Sequence, residues 1–174
     1  MKTIIIILMS MITTVFYAQT ADEIELGNRI NNIVLNNIPS LTGKDYFIFD
    51  AIEGQIYVIS KIDNNYTYYN LQLGSRVTDG DKIIATKTVS YKPVLDKIFT
   101  NFVPKAGVKR YLSEYGNLLS DDSFGSFYIA IYKNGIKTFD TSVLSIRITN
   151  RESPIDDEIL EFFYYYLIAN PDQL

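Results

Sequence analysis

The 174-residue chain contains no histidine, no cysteine and no tryptophan. Without imidazole, Ser-His-Asp and Cys-His nucleophilic catalysis are excluded, as is every zinc site that relies on imidazole or thiolate. Without thiol there is no disulfide, even where an oxidising compartment would permit one, and no cysteine to carry a lipid at a processing site. The fold must therefore be held by its core. No glycine-rich phosphate loop occurs, because Gly43-Lys44 lacks the upstream glycine of a P-loop. A Ser-x-x-Lys nucleophile motif is also absent. Neither a catalytic constellation, nor a metal site, nor a cofactor is read from the sequence.

Basic residues are the minority charge, 16 Lys+Arg against 20 Asp+Glu. Nucleic-acid binding is driven by phosphate neutralisation and counterion release, so this balance argues against it. The one basic cluster, Lys105-Ala106-Gly107-Val108-Lys109-Arg110, is short and reads as a solvated loop and helix start. Adhesion to anionic lipid is disfavoured on the same ground.

What is present begins with the leader. Met1-Lys2-Thr3 precedes an almost unbroken apolar run from Ile4 to Tyr17, followed by Ala18-Gln19-Thr20. A positive charge, a short apolar core and a small residue before a polar one are the parts of a secretory signal. The run is shorter than the ~20 residues a helix needs to cross a bilayer. Residues 1–18 are thus expected to be a signal peptide cut after Ala18, leaving a periplasmic or secreted protein with no stable membrane anchor. Lys2 leaves with the leader, so 15 basic residues face 20 acids in the remainder, a net of −5. Residues 19–174 are of single-domain length, and one globular domain is expected.

Thr20 and Glu23 have capping-box spacing, and Leu26, Ile30, Ile33, Val34 and Ile38 trace one face of a helix that Pro39 ends. Tyr46 to Phe49, Gln55 to Ile62 and Tyr66 to Leu73 are β-prone runs. Asp63-Asn64-Asn65 reads as a three-residue hairpin turn between the last two. Pairing across such a turn sets Ile62 opposite Tyr66 and Ser60 opposite Tyr68. It assigns Tyr57, Ile59, Tyr69, Leu71 and Leu73 to the core. Lys82 to Val89 predicts a strand. Pro93 opens a helix with an apolar stripe from Val94 to Phe102, and the spacing from Val108 to Leu119 predicts another. Asn134-Gly135 between Ser126–Lys133 and Ile136–Asp140 is a strong hairpin signal, and Ser142 to Thr149 alternates as a further strand. Ser153-Pro154-Ile155-Asp156 predicts the start of a last helix reaching Ala169. Ile155, Ile159, Phe162, Phe163 and Tyr166 fall on its buried face, and Tyr165 joins Glu158 and Glu161 on the outer one. The sum is an α+β domain: an antiparallel β-sheet of about five to seven strands with helices packed on one face.

Carboxylate chemistry survives the exclusions. Asp50, Glu53 and Glu114 are candidates for a pair flanking a scissile bond. Asp121 and Asp122, or Asp79 and Asp81, could offer oxygen to calcium, but neither stretch has the EF-hand register. The stronger positive signal is 14 tyrosines, with Tyr66, Tyr68 and Tyr69 together and Tyr164, Tyr165 and Tyr166 together. Alternation places Tyr66, Tyr68, Asn70 and Gln72 on one sheet face, where rings beside amides offer a binding surface for a protein, peptide or glycan. The sequence therefore reads as a non-catalytic binding or interaction domain. The alternatives are a carboxylate-dependent hydrolase of envelope or external polymer, and an inhibitor or immunity-type protein.

Overall fold

The computed structural model describes residues 19–51, 54–74, 80–114, 125–144 and 152–173. The leader lies outside them. Helix α1 spans Ala21–Asn37 and begins with the expected capping box: the Thr20 hydroxyl accepts from Glu23 N, and Glu23 accepts from Thr20 N. The strands are β1 (Asp45–Ala51), β2 (Gln55–Ile62), β3 (Asn65–Gln72), β4 (Lys82–Val89), β5 (Ser126–Lys133) and β6 (Ile136–Leu144). Helix α2 covers Pro93–Phe99. Helix α3 covers Asp157–Phe162 and continues as a π-helical stretch, Phe163–Ala169.

The six strands form one antiparallel sheet in the order β4-β3-β2-β1-β5-β6. This is the expected α+β class. The first four strands meander outward from β1. The chain then passes through α2 and returns with the β5–β6 hairpin on the other side of β1. Asn134 and Gly135, with φ of 52° and 75°, close that hairpin as their sequence predicts.

Helix placement departs from the expectation, because both sheet faces are covered. Helices α2 and α3 pack on the face carrying Phe47, Phe49, Ile59, Phe127 and Ile129. Helix α1 lays Ile30, Val34 and Ile38 on the other face, against Tyr46, Ile48, Val58 and Tyr128. The cause is visible in the strands themselves. Tyr46 through Phe49 and Phe127 through Tyr132 are buried without a break, so neither face of β1 or β5 can be left in water.

The β2–β3 register also differs. Asp63 adopts a left-handed φ of 56°, and the turn closes over Asp63 and Asn64 alone. Asn65 then joins the strand opposite Ile62, so Tyr66 faces Lys61 and Tyr68 faces Ile59. A one-residue slip exchanges faces. It brings Tyr66 and Tyr68 beside Tyr57 and Ile59 in the core under α2 and α3.

Other elements differ in extent. Ile136 to Leu144 is one continuous strand, and the remainder of the strand expected up to Thr149 lies outside the described residues. Of the helix expected from Val108 to Leu119, residues 108–111 are not helical, 112–114 form a short 3-10 turn, and 115–119 lie outside the described residues. Its leading segment instead covers the edge of β6: Ser142 N donates to Arg110 O at 2.9 Å, and Leu112 N donates to the Ser142 hydroxyl at 3.2 Å. The last helix starts at Asp157 with Asp156, not Ser153, as its cap. Ser153, Pro154 and Ile155 are buried in a bend ahead of the helix, and Pro154 O accepts from Lys105 N at 2.8 Å.

The seat of α1 is tight. A Cβ added to Gly27 would lie 2.5 Å from the Tyr128 hydroxyl oxygen and 3.0 Å from its Cζ. Gly27→Ala is therefore expected to cost about 1–3 kcal/mol in urea unfolding. Part of that loss should be recovered in a Tyr128→Phe background, where the oxygen is gone but the ring carbon remains. Equal losses in the two backgrounds would show that α1 does not rest on this ring.

Candidate functional site

The four residues singled out in the sequence do share one sheet face, but it is an interior face. Tyr66 is 5% and Tyr68 0% exposed. Tyr66 packs on Phe99 at 5.7 Å between ring centroids, and Tyr68 on Tyr57 at 6.4 Å. Gln72 is occupied within the strand end, accepting from Gln55 Nε2 at 3.2 Å and donating to Gly54 O at 3.3 Å. Asn70 is half-buried, with its Oδ1 enclosed and, among the described residues, without a hydrogen-bond partner. The expected Tyr66/Tyr68 contact surface is thus corrected: with their rings covered, neither tyrosine can present area to a partner.

The described carboxylate candidates, Asp50, Asp81 and Glu114, have separate surroundings. Asp50 is half-buried in β1, and Glu114 accepts from Arg110 N at 3.3 Å. Asp81 accepts from Gly74 N at 3.1 Å. Glu53, Asp79, Asp121 and Asp122 lie outside the described residues. Among the described residues no three acids gather where they could hold a metal ion. Burial pushes the Asp50 carboxyl up to about 6, against the attraction of Arg29.

Two acids are buried together with their donors, Asp140, which sequence spacing did not flag, and Glu23, which it flagged only as a capping-box residue. Glu23 is 8% and Asp140 4% exposed. Glu23 accepts from Thr20, from both the backbone N and the hydroxyl of Ser113 at 3.0 Å, and from the Ser142 hydroxyl at 3.3 Å. Asp140 accepts from Lys137 Nζ at 2.7 Å, the Tyr111 hydroxyl at 2.8 Å and Gln19 Nε2 at 2.9 Å. Burial alone would raise both pKa values. The donors outweigh it and hold both below the usual carboxylate range. These are ionised, saturated anions rather than proton donors.

The open concavity lies elsewhere. A groove of about 870 Å³ runs between the start of α2 and the last helix, walled by Lys92, Pro93 and Val94 on one side and by Phe162, Tyr164, Tyr165, Tyr166 and Ala169 on the other, with Glu158 and Glu161 at its margin. Val94 and Phe162 are buried and form its floor, whereas Tyr165 is 50% exposed. Lys92 Nζ sits 4.1 Å from the centroid of the Tyr166 ring, a cation–π contact across the groove. Tyr164 leans edge-on against Phe127, and Tyr165 meets Tyr166 edge-on at 4.8 Å. The wall is the π-helical stretch, in which Asn170 N bonds Tyr165 O at 2.9 Å, five residues back. Such wide turns recur at functional sites. Glu158 is ion-paired with Lys97. The outer-face assignment of Tyr165, Glu158 and Glu161 was available from helical spacing. Lys92 was not, since it comes from a separate element.

No protein-family model, curated protein or solved structure matches this chain.

The two kinds of buried acid predict opposite pH responses. Asp50 has a raised folded pKa, so its contribution is favourable at low pH and is lost as pH rises from about 4 through about 6. Asp50→Asn should therefore stabilise the protein above that window, by on the order of 2 kcal/mol, and flatten its urea midpoint across it. Asp140 has a lowered pKa, so its contribution is present above the usual carboxylate range and is lost as pH falls below it. Asp140→Asn should weaken the protein at neutral pH and remove part of its acid sensitivity. Identical pH profiles for wild type and either variant would refute the corresponding assignment.

Proposed function

We propose that this chain is an exported, non-catalytic binding domain, working in the periplasm or outside the cell, and that the groove beside the last helix receives apolar side chains of a partner polypeptide. The observation that carries the reading is the groove's wall of three consecutive tyrosines, half-buried or exposed, over an apolar floor. Its volume falls in the range of ligand sites, and tyrosine is enriched where proteins meet. A tyrosine ring contributes large contact area at little conformational cost.

The chemistry of the lining favours a peptide over a glycan. Sugars need a dense set of hydrogen-bonding groups, whereas the charged groups here are Lys92, Glu158 and Glu161, with Lys92 over Tyr166 and Glu158 paired with Lys97. Hydrolysis is less well supported. Glu158 and Glu161 stand three residues apart on one helix wall, so they do not flank a bond from opposite sides. An inhibitor or immunity-type role would be a special case of the same reading, with an enzyme as the partner.

The absence of tryptophan supplies a clean probe. Tyr165→Trp introduces a single indole at the groove. Titrating this variant with short peptides bearing leucine or phenylalanine should give a saturable blue shift, and cell-wall oligosaccharides should give none. In calorimetry with the best peptide, Tyr165→Ala should weaken binding about tenfold or more, as expected for an aromatic anchor. Saturation by oligosaccharide with no response to any peptide would overturn the peptide reading.

A further inference from the structure

The Asp140 cluster, fully partnered inside the protein, has one partner of a different kind. Tyr111, Lys137 and Tyr128 all reach the carboxylate from the body of the domain, whereas Gln19 reaches it from the residue just ahead of the α1 cap. Gln19 Nε2 donates to Asp140 Oδ2 at 2.9 Å, across 121 positions of sequence. One residue later Thr20 is fixed by Glu23, itself bound to Ser113 and Ser142. Backbone and side chain at the head of α1 are thus both tied to β6 and to the segment covering its edge.

Gln19 is also the residue that removal of the expected leader would place first. A free amino-terminal glutamine is chemically unstable. Its α-amine attacks the side-chain Cδ, a C–N bond closes the five-membered lactam, the Cδ–Nε2 bond breaks, and Nε2 departs as ammonia. The atom that must leave is the one Asp140 holds. The side chain must also swing back toward its own amine, which it cannot do while Nε2 is bound to a carboxylate on β6.

The geometry points to the Asp140 cluster as a seat for the chain's own processed end, holding Gln19 as open-chain glutamine and blocking its conversion to pyroglutamate. This rests on cleavage after Ala18, and otherwise on the described geometry alone. Four further groups bear on the same carboxylate: Lys137 and, at 3.5 Å, the Tyr128 hydroxyl share Oδ2 with Gln19, while the Tyr111 hydroxyl and the Arg110 guanidinium, at 3.6 Å, lie on Oδ1. They keep it anionic and fixed in place, so the acceptor for Gln19 is permanent.

The test uses the full chain expressed with its leader and recovered from envelope and medium. Intact-mass and amino-terminal fragment analysis first establish where the chain begins. A start at Gln19 with the ammonia retained supports the seat, and any other start overturns the proposal through its cleavage premise. The purified protein is then incubated at neutral pH, folded and in concentrated urea, and loss of ammonia is followed by mass. Retention of one charge-assisted hydrogen bond should make loss about tenfold or more slower in the folded protein. Asp140→Ala should bring the folded rate close to the unfolded one. Tyr111→Phe, which removes a neighbour of the same carboxylate but not the Gln19 acceptor, should leave loss slow and controls for general loosening. Equal rates in folded and unfolded wild type, with the start at Gln19 confirmed, would overturn the seat while leaving the export reading intact.

Discussion

Strands β1 and β5 are apolar on both sides, and most of the architecture answers that constraint. Four consecutive residues of β1 and six of β5 are buried, so the sheet needs cover above and below. Fully burying one such side chain is worth about 1.5–3 kcal/mol, and leaving either face bare would forfeit several of them. Helix α1 therefore takes the Tyr46/Ile48 side, and α2 with α3 takes the Phe47/Phe49 side. Ring stacking reinforces each layer. Tyr46 lies on Tyr132 at 4.5 Å, and Phe47 on Phe163 at 4.3 Å. Because Phe163 is drawn inward, the tyrosines that follow it in sequence are distributed around the last helix, and one of them, Tyr165, turns outward.

A core closed on both sides makes every enclosed polar group expensive unless it is bonded. Glu23 and Asp140 meet the requirement with several donors each. In doing so they join α1, β6 and the segment around Arg110 and Ser113. Asp50 meets it poorly. Its charge is opposed by burial and supported by the single Arg29 at longer range, and its raised pKa is the outcome. The contrast shows that burial does not decide the protonation state of an acid here. The number of donors aimed at the carboxylate does.

The strand and helix segments were largely legible in the sequence because turn residues punctuate them: Asp63-Asn64, Asn134-Gly135, Pro39 and Pro93 all fall at observed boundaries. Register was not. Whether Asn65 belongs to the turn or to the strand depends on Asp63 taking a left-handed φ, which sequence permits but does not require. That one dihedral moved Tyr66 and Tyr68 into the core and so displaced the expected site. The long-range partners of the buried acids were illegible for a different reason. Glu23 meets Ser113 across 90 positions and Asp140 meets Gln19 across 121, and no local pattern encodes such pairings. The groove was half legible. Helical spacing put Tyr165, Glu158 and Glu161 on an outer face, but the opposing wall comes from the residues after β4.

The tyrosine abundance that suggested a binding surface thus divides into two physical roles. Tyr46, Tyr68, Tyr111, Tyr128 and Tyr132 are buried, and burial raises the pKa of each, the Tyr46 phenol to about 12. They are large core side chains whose hydroxyls reach internal partners, and they have no further contact to offer. Tyr165 is the opposite case, a large ring at the surface with its hydroxyl bonded to Gln173 and half of its area in water. The free energy of covering a ring is available to a partner only where the fold has not already taken it. By that criterion Tyr66 and Tyr68 are spent. The wall formed by Tyr164, Tyr165 and Tyr166 retains exposed ring area and concavity beside Lys92, and it is on this uncovered area that the proposed binding role rests.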